Sequence, residues 1–232
     1  MDEFNKNIFV NCPFDDDYKP LLKSLLFTII YCGFNPRIAL ERFDSGEGRL
    51  SKIKELIDSS IYSIHDLSRI KSKKLDEYFR LNMPFEIGLD LGCRLYNPEP
   101  KYKGKRTLIL ETEEYSYQKA LSDLSNSDVK CHNGDSEELI YQIRNWFCEL
   151  TDNEESIQGA SIIWDDYNIF NTDLYKEMTD KGLRQKDIDK MTIPELQRKM
   201  VSWIENKKRN REIIIKRPSA RKSVKYKIAS TS

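Results

Sequence analysis

The sequence predicts an α/β protein built on a doubly wound, five-stranded parallel sheet of flavodoxin-like order 2-1-3-4-5. Three observations lead there. Between Asn7 and Leu150, short apolar runs alternate five times with stretches of helical period. Strand-then-helix repetition lays each right-handed crossover against the sheet, which covers both faces. The junctions carry capping and turn residues. At 232 residues, 39% of them hydrophobic, the chain has room for one substantial core plus an appendage, and the short core favours the five-strand order.

The first strand is read at Ile8-Phe9-Val10 and the first helix over Tyr18 to Cys32. Asp15, Asp16 and Asp17 are available as caps, Pro20 is tolerated in a first turn, and Gly33 supplies the stop. A second strand at Arg37-Ile38-Ala39-Leu40 precedes a helix over Arg49 to Ser59, and a third at Ile61-Tyr62-Ser63-Ile64 precedes one over Asn82 to Leu95. Thr107-Leu108-Ile109-Leu110 and a weak Asp128-Val129-Lys130-Cys131 complete the strands. Helices follow each of these, over Tyr115 to Ser125 and Ser136 to Glu149, the last announced by Gly134-Asp135-Ser136 and an apolar set of helical spacing. Residues 151–159 read as a polar linker and 160–206 as a helical extension with the stripe Ile193, Leu196, Met200, Ile204. Residues 207–232 read as a basic tail, with a hairpin expected over Ile213 to Ile228 around Pro218.

Composition removes several function classes. The chain has 38 basic and 38 acidic residues, and no apolar run approaches the roughly 20 residues that span a bilayer. The opening MDEFNKN lacks the pattern of a secretory leader, so a cytoplasmic protein that does not engage the membrane is expected. Five cysteines without close pairing fit reduced thiols. His65 and His132 have no second ligand at metal spacing, so neither zinc nor another cofactor is expected. A G-x-S-x-G elbow and a Gly-rich phosphate loop are both missing. The neutral total hides a net charge of +8 over Glu205 to Ser232, leaving −8 on the rest. Such a tail can bind nucleic acid, dock on its own body or solvate it, and the last two together outweigh the first.

In an open parallel sheet, ligands bind beyond the carboxyl ends of the strands near the switch in strand order. The loops there are polar: Asn11 to Asp17, Glu41 to Gly48, and His65-Asp66-Leu67-Ser68-Arg69. Arg80-Leu81-Asn82-Met83-Pro84-Phe85-Glu86-Ile87-Gly88 then opens a helix, with Pro84 in its first turn and Glu86 near the positive end of its dipole. Gly88 and Gly92, four apart, read as a narrow face for close approach to the sheet or another helix. Each group also has a plain structural reading, as a cap or a dipole-complementing residue.

The motifs Ile8-Phe9-Val10-Asn11-Cys12-Pro13-Phe14, Ile64-His65-Asp66-Leu67-Ser68 and Pro84-Phe85-Glu86-Ile87-Gly88, in that order, resemble the nucleoside 2-deoxyribosyltransferase-like family and, more distantly, TIR domains. Phe9 to Leu91 also resembles bacterial TIR-like proteins carrying Asn-Cys-Pro-Phe, Ile-His-Asp-Leu-Ser and Asn-Met-Pro-Phe-Glu. The likeness covers about the first 150 residues. It implies a helix-borne glutamate, Glu86, acting at a sugar carbon. The transferases' Asp-x-Gly-Thr is replaced here by Arg80-Leu81-Asn82-Met83-Pro84, which weighs against transfer to a second base.

Cleavage of an N-glycosidic bond builds oxocarbenium character that an ionised carboxylate stabilises or traps. The expected catalytic pair is Glu86 with Asp66, the latter orienting a ribose hydroxyl or serving as acid. Expected substrate contacts are Asn11 with a hydroxyl or phosphate, Arg37 and Arg42 with a pyrophosphate, Phe14 or Phe43 stacking on a base, and Pro13, Asp44, Ser68 and Asn82 around the crevice. Nicotinamide leaves NAD as a neutral molecule without an acid, so NAD, as substrate and not cofactor, stands first and a nucleoside or deoxynucleotide second. From the TIR likeness come an antiphage setting and activation by a regulatory protein or a homo-oligomer. Two other readings stay open: a non-catalytic nucleotide sensor, and nucleic-acid binding through the tail.

Overall fold

The structure, a computed structural model, describes residues 3–69, 81–124, 127–151 and 157–216, the side chains of 212–216 excepted. The strands are β1 (Asn7–Asn11), β2 (Asn35–Ile38), β3 (Tyr62–Asp66), β4 (Arg106–Glu111) and β5 (Lys130–Cys131). All pair in parallel, in the order β2-β1-β3-β4-β5. The crossover helices are α1 (Lys19–Tyr31), α2 (Arg49–Asp58), α3 (Asn82–Tyr96) and α4 (Ser136–Leu150), followed by α5 (Ala160–Asp180), α6 (Gln185–Asp189) and α7 (Ile193–Lys216). The fold expected from the pattern is the fold observed.

The local chemistry explains the boundaries. Asp15 caps the 3₁₀ turn that leads into α1, accepting from the Tyr18 amide at 3.1 Å. Gly33, at φ 88°, ends α1 in the left-handed conformation glycine adopts without strain. Asp135 caps α4 through the Glu138 amide at 2.8 Å.

Two elements depart from expectation. β2 stops at Ile38 because the Glu41 carboxylate accepts from the Ile38 amide and folds Ala39–Glu41 into a 3₁₀ turn. No α-helix forms over the described part of Tyr115 to Ser125. Tyr115 sits at φ 60°, and Glu111 Oε2 accepts from Ser116 Oγ and the Tyr117 amide, pinning two 3₁₀ turns, Tyr117–Lys119 and Ser122–Leu124.

Pleating divides the sheet into two unlike faces. Ile8, Val10, Ile38, Ile64, Leu108 and Leu110 meet α1 and α4 in the main core. That core continues through Ile163, Phe170, Leu174, Met178, Leu196, Met200 and Ile204, so the helical extension is layered onto α1 and α4. Phe27 of α1 lies against Tyr167, Phe170 and Trp203. The opposite face, toward α2 and α3, has smaller apolar clusters around Phe9 and Ile109 and a row of buried polar groups.

The basic stretch read as a tail begins inside α7, which continues to Lys216. Ile213 to Lys216 are therefore helical and not the start of a hairpin. Lys207 and Arg211 bind the buried Asp166 of α5, whose Oδ2 also accepts from Tyr31 of α1 at 2.8 Å. These two cations dock on the protein's own body. Residues 217–232 and the lysine-rich loop 70–79, which by sequence alone reads as a flexible lid, lie outside the described residues. No described helix is long and apolar enough to cross a membrane.

Candidate functional site

The carboxyl ends of β1 and β3 bring together most of the groups singled out above, but on opposite sides of the sheet. Consecutive strand residues point to opposite faces. His65 therefore turns toward α3, and Asp66 toward the side of Tyr18 and α1.

On the α3 side, Asn11 Nδ2 donates to the Met83 carbonyl at 3.0 Å and faces His65 Nδ1 at 3.1 Å. The Nδ1 atom is then an acceptor, so the ring proton sits on Nε2 and is donated to Asp90 Oδ2 at 3.2 Å. Asp90 also accepts from Ser63 Oγ at 2.5 Å and pairs with the buried Lys105 at 3.1 Å. Burial pushes the Asp90 pKa up, but the hydrogen bond from His65, the Lys105 charge and the Ser63 bond together hold it well below the usual carboxylate range. As a solvated charge, the role open to it under a binding-module reading, Asp90 is excluded.

Glu86 is the fifth residue of α3, one turn further in than a dipole-complementing position, and its side chain is 7% exposed. Oε1 pairs with Arg49 Nη2 at 3.0 Å, and Oε2 has no hydrogen-bond partner among the described residues. Burial raises the Glu86 pKa above the ordinary 4.5, opposed by the charge and bond of Arg49. Arg49, the first residue of α2, escaped the sequence reading; its place directly after the Asp44–Gly48 loop was the available signal. Gly88 and Gly92 do not provide the close-approach face. A Cβ at either would meet nothing within 4 Å, because α3 turns Met83, Glu86, Ile87 and Asp90 inward instead. Ser63, His65 and Lys105 make that polar inner face affordable.

Across the sheet, Asp66 is completely buried. It accepts from Tyr18 OH at 2.5 Å, the Ser68 amide at 2.8 Å, Ser68 Oγ, and His132 Nε2 at 3.0 Å. Burial alone would raise its pKa, but the bonds from His132, Ser68 and Tyr18 bring it below 3.8. A carboxylate so enclosed reaches neither a ribose hydroxyl nor a leaving group, which corrects the pairing of Asp66 with Glu86. Ser68, His132 and Asp66 meet without forming a nucleophilic triad. The Gly134 amide donates to His132 Nδ1 at 3.0 Å, so Nε2 carries the proton and cannot take one from Ser68. Ser68 is a ligand of Asp66, not of a substrate. Neither Tyr18 nor His132 stands out by sequence; a lone histidine after a weak strand carries no spacing signal.

The remaining expected contacts divide. Arg37 forms a bidentate pair with Glu41, and Arg42 pairs with Glu55 and Glu47, so both predicted pyrophosphate ligands are already neutralised. Asp44 is spent on the turn, accepting from the Gly46 amide at 2.8 Å. Pro13 is buried and Phe14 packs against the main core, whereas Phe43 is 68% exposed and available for stacking. Asn82 is exposed at the start of α3. Arg69 binds Asp15 through two nitrogens, tying the loops after β1 and β3 together. Cys12, buried between these groups, is kept protonated by burial and by the negative charges of Asp66, Glu86 and Asp15, so it is no nucleophile.

Cavities lined by described residues lie elsewhere. One of about 510 Å³, at the carboxyl ends of β4 and β5, is bounded by Glu111, Glu114, Tyr117 and Glu138. Another, of about 430 Å³, is an apolar groove between α2 and α3 along Leu50, Leu89, Gly92 and Tyr96. No group of three His, Cys, Asp or Glu suited to a metal ion occurs among the described residues.

Fold and site together define a flavodoxin-like α/β protein with a buried, arginine-paired glutamate at the carboxyl edge of its sheet. No family model, curated protein or solved structure matches the chain.

Proposed function

We propose that the protein is a nucleotide N-glycosidase in which Glu86 stabilises or traps the ribosyl cation, with the nicotinamide–ribose bond of NAD as the first substrate to test. The observation that carries this reading is the Glu86 side chain, with one oxygen fixed by Arg49 and the other unengaged among the described residues. A carboxylate oriented through one oxygen presents the other to an anomeric carbon. The place of Glu86 on the helix after the third strand agrees with the likeness to nucleoside 2-deoxyribosyltransferase-like and TIR-like proteins. With Asp66 enclosed, a leaving group that needs no acid is favoured, which again selects NAD over a neutral purine nucleoside.

The test is chromatography of a nucleotide panel incubated with the wild-type protein and Glu86→Gln. Free nicotinamide is expected from NAD with wild type alone; equal release by Glu86→Gln would reject the role of Glu86. Because burial raises the Glu86 pKa and its ionised form is the active one, the acid limb of the rate profile should lie above pH 4.5.

The second reading, a nucleotide sensor without chemistry, is favoured by the Arg49–Glu86 pair itself, since an ion pair with 7% exposure at the carboxylate also serves as a fixed strut. Calorimetric binding of nucleotide without base release would decide for it. An antiviral setting and activation by a partner or by self-association belong to the TIR likeness.

A further inference from the structure

We infer that Asn11 reads the sugar: its side-chain carbonyl accepts the 2′-hydroxyl of the ribose presented to Glu86, so that the site takes ribonucleotides in preference to 2′-deoxyribonucleotides. The inference rests on the assignment of Glu86 and deepens it.

Asn11 is 2% exposed, and its Oδ1 is buried without any hydrogen-bond partner among the described residues. The amide cannot be turned over to repair this. Met83 O, which only accepts, lies 3.0 Å from Nδ2, so the flipped amide would set oxygen against oxygen. The second contact of Nδ2 is His65 Nδ1, whose ring is itself locked through Nε2 onto Asp90 and so onto Lys105. A chain of buried groups thus fixes one acceptor with both lone pairs unused. Leaving such an atom unpaired costs stability, and native interiors rarely do so without a reason.

The acceptor is close to the proposed chemistry. Asn11 is bonded to Met83, and Glu86 lies three residues further along α3, on the same helix face. The same His65 ring touches Asn11 and bonds to Asp90, four residues beyond Glu86 on α3. Arg49, about half exposed, holds Glu86 through Oε1 alone.

An unpaired carbonyl oxygen selects for a donor. A phosphate brings only acceptors near neutral pH and would face both Oδ1 and the Glu86 carboxylate with repulsion, so the alternative of a hydroxyl or a phosphate at Asn11 resolves to the hydroxyl. The hydroxyl adjacent to a sugar's anomeric carbon is the 2′-hydroxyl, and an enzyme carboxylate acting at that carbon gains from a second polar contact there. A deoxyribose would leave Oδ1 unpaired in the complex as well.

The experiment compares NAD with its analogue lacking the 2′-hydroxyl on the nicotinamide ribose, using wild type, Asn11→Ala and Glu86→Gln. Wild type should favour NAD in kcat/KM by on the order of tenfold or more, and Asn11→Ala should bring NAD down toward the analogue. Wild-type rates equal to within about twofold, or an undiminished preference in Asn11→Ala, overturn the inference. The wild-type ratio decides even if Asn11→Ala fails to fold. Calorimetry on Glu86→Gln separates the two claims. If wild type cleaves neither compound but Glu86→Gln binds NAD preferentially, and an added Asn11→Ala removes the preference, Glu86 is not catalytic and Asn11 still reads the hydroxyl. If neither compound is cleaved or bound, both claims fall.

Discussion

Asp90 is the single residue on which the α3 side of the sheet depends most. Its charge offsets Lys105, which is 1% exposed and, among the described residues, otherwise donates only to the Ile57 and Ser60 carbonyls. Asp90→Asn should cost about 3–5 kcal/mol in a denaturant melt by stranding that ammonium, and Lys105→Met in the same chain should recover part of the loss. Failure of the second change to recover anything would place the cost in the Ser63 and His65 bonds instead. Acid should act in the same direction. Asp66 and Asp90 titrate below their unfolded value of 3.8 in the native state, so the stability they contribute is complete above about pH 4 and is lost as pH falls through their lower folded values. Glu86 has the opposite sign. Its folded pKa is raised, so stability falls as pH rises from the unfolded 4.5 through the folded value. A stability profile that stays flat as pH falls below about 4 would contradict the two aspartates.

At the scale of elements, α3 is a helix whose inner face carries charge and whose outer face carries glycine. Gly88 and Gly92 have open space where a side chain would be, so Gly88→Ala and Gly92→Ala should each raise stability by about 0.5–1 kcal/mol in a thermal melt. A loss would mean that the groove along α2 and α3 needs the missing side chain. This inversion also marks where sequence reasoning stops. The limits of α1, α2 and α4 were legible because caps and apolar period act within a few residues, as Asp135 and Gly33 do. The inward turn of Asp90 was not, because Ser63, His65 and Lys105, which satisfy it, come from other strands and loops. Glu86 could be found from its place after the third strand, but its partner Arg49 is 37 residues away. The separation of Asp66 from Glu86 follows from pleating alone, yet it needs the strand's last residue, and the sequence placed that end two residues early, at Ile64.

At the scale of the molecule, Asp166 closes a clamp in which α5 holds Tyr31 of α1 and Lys207 and Arg211 of α7. Both cations are partly exposed and can rehydrate, so Asp166→Ala should cost about 1–3 kcal/mol in chemical denaturation, less than the loss of Asp90. An effect as large as that of Asp90→Asn would show that α7 cannot leave α1 without the sheet following. The layer this clamp secures bears on how the gene can be cut. Phe27 has no exposed surface because Tyr167, Phe170 and Trp203 cover it. A fragment ending at Leu150 would bare that greasy flank to water, and its behaviour in an assay would reflect sticking between fragments before it reflected anything at Glu86.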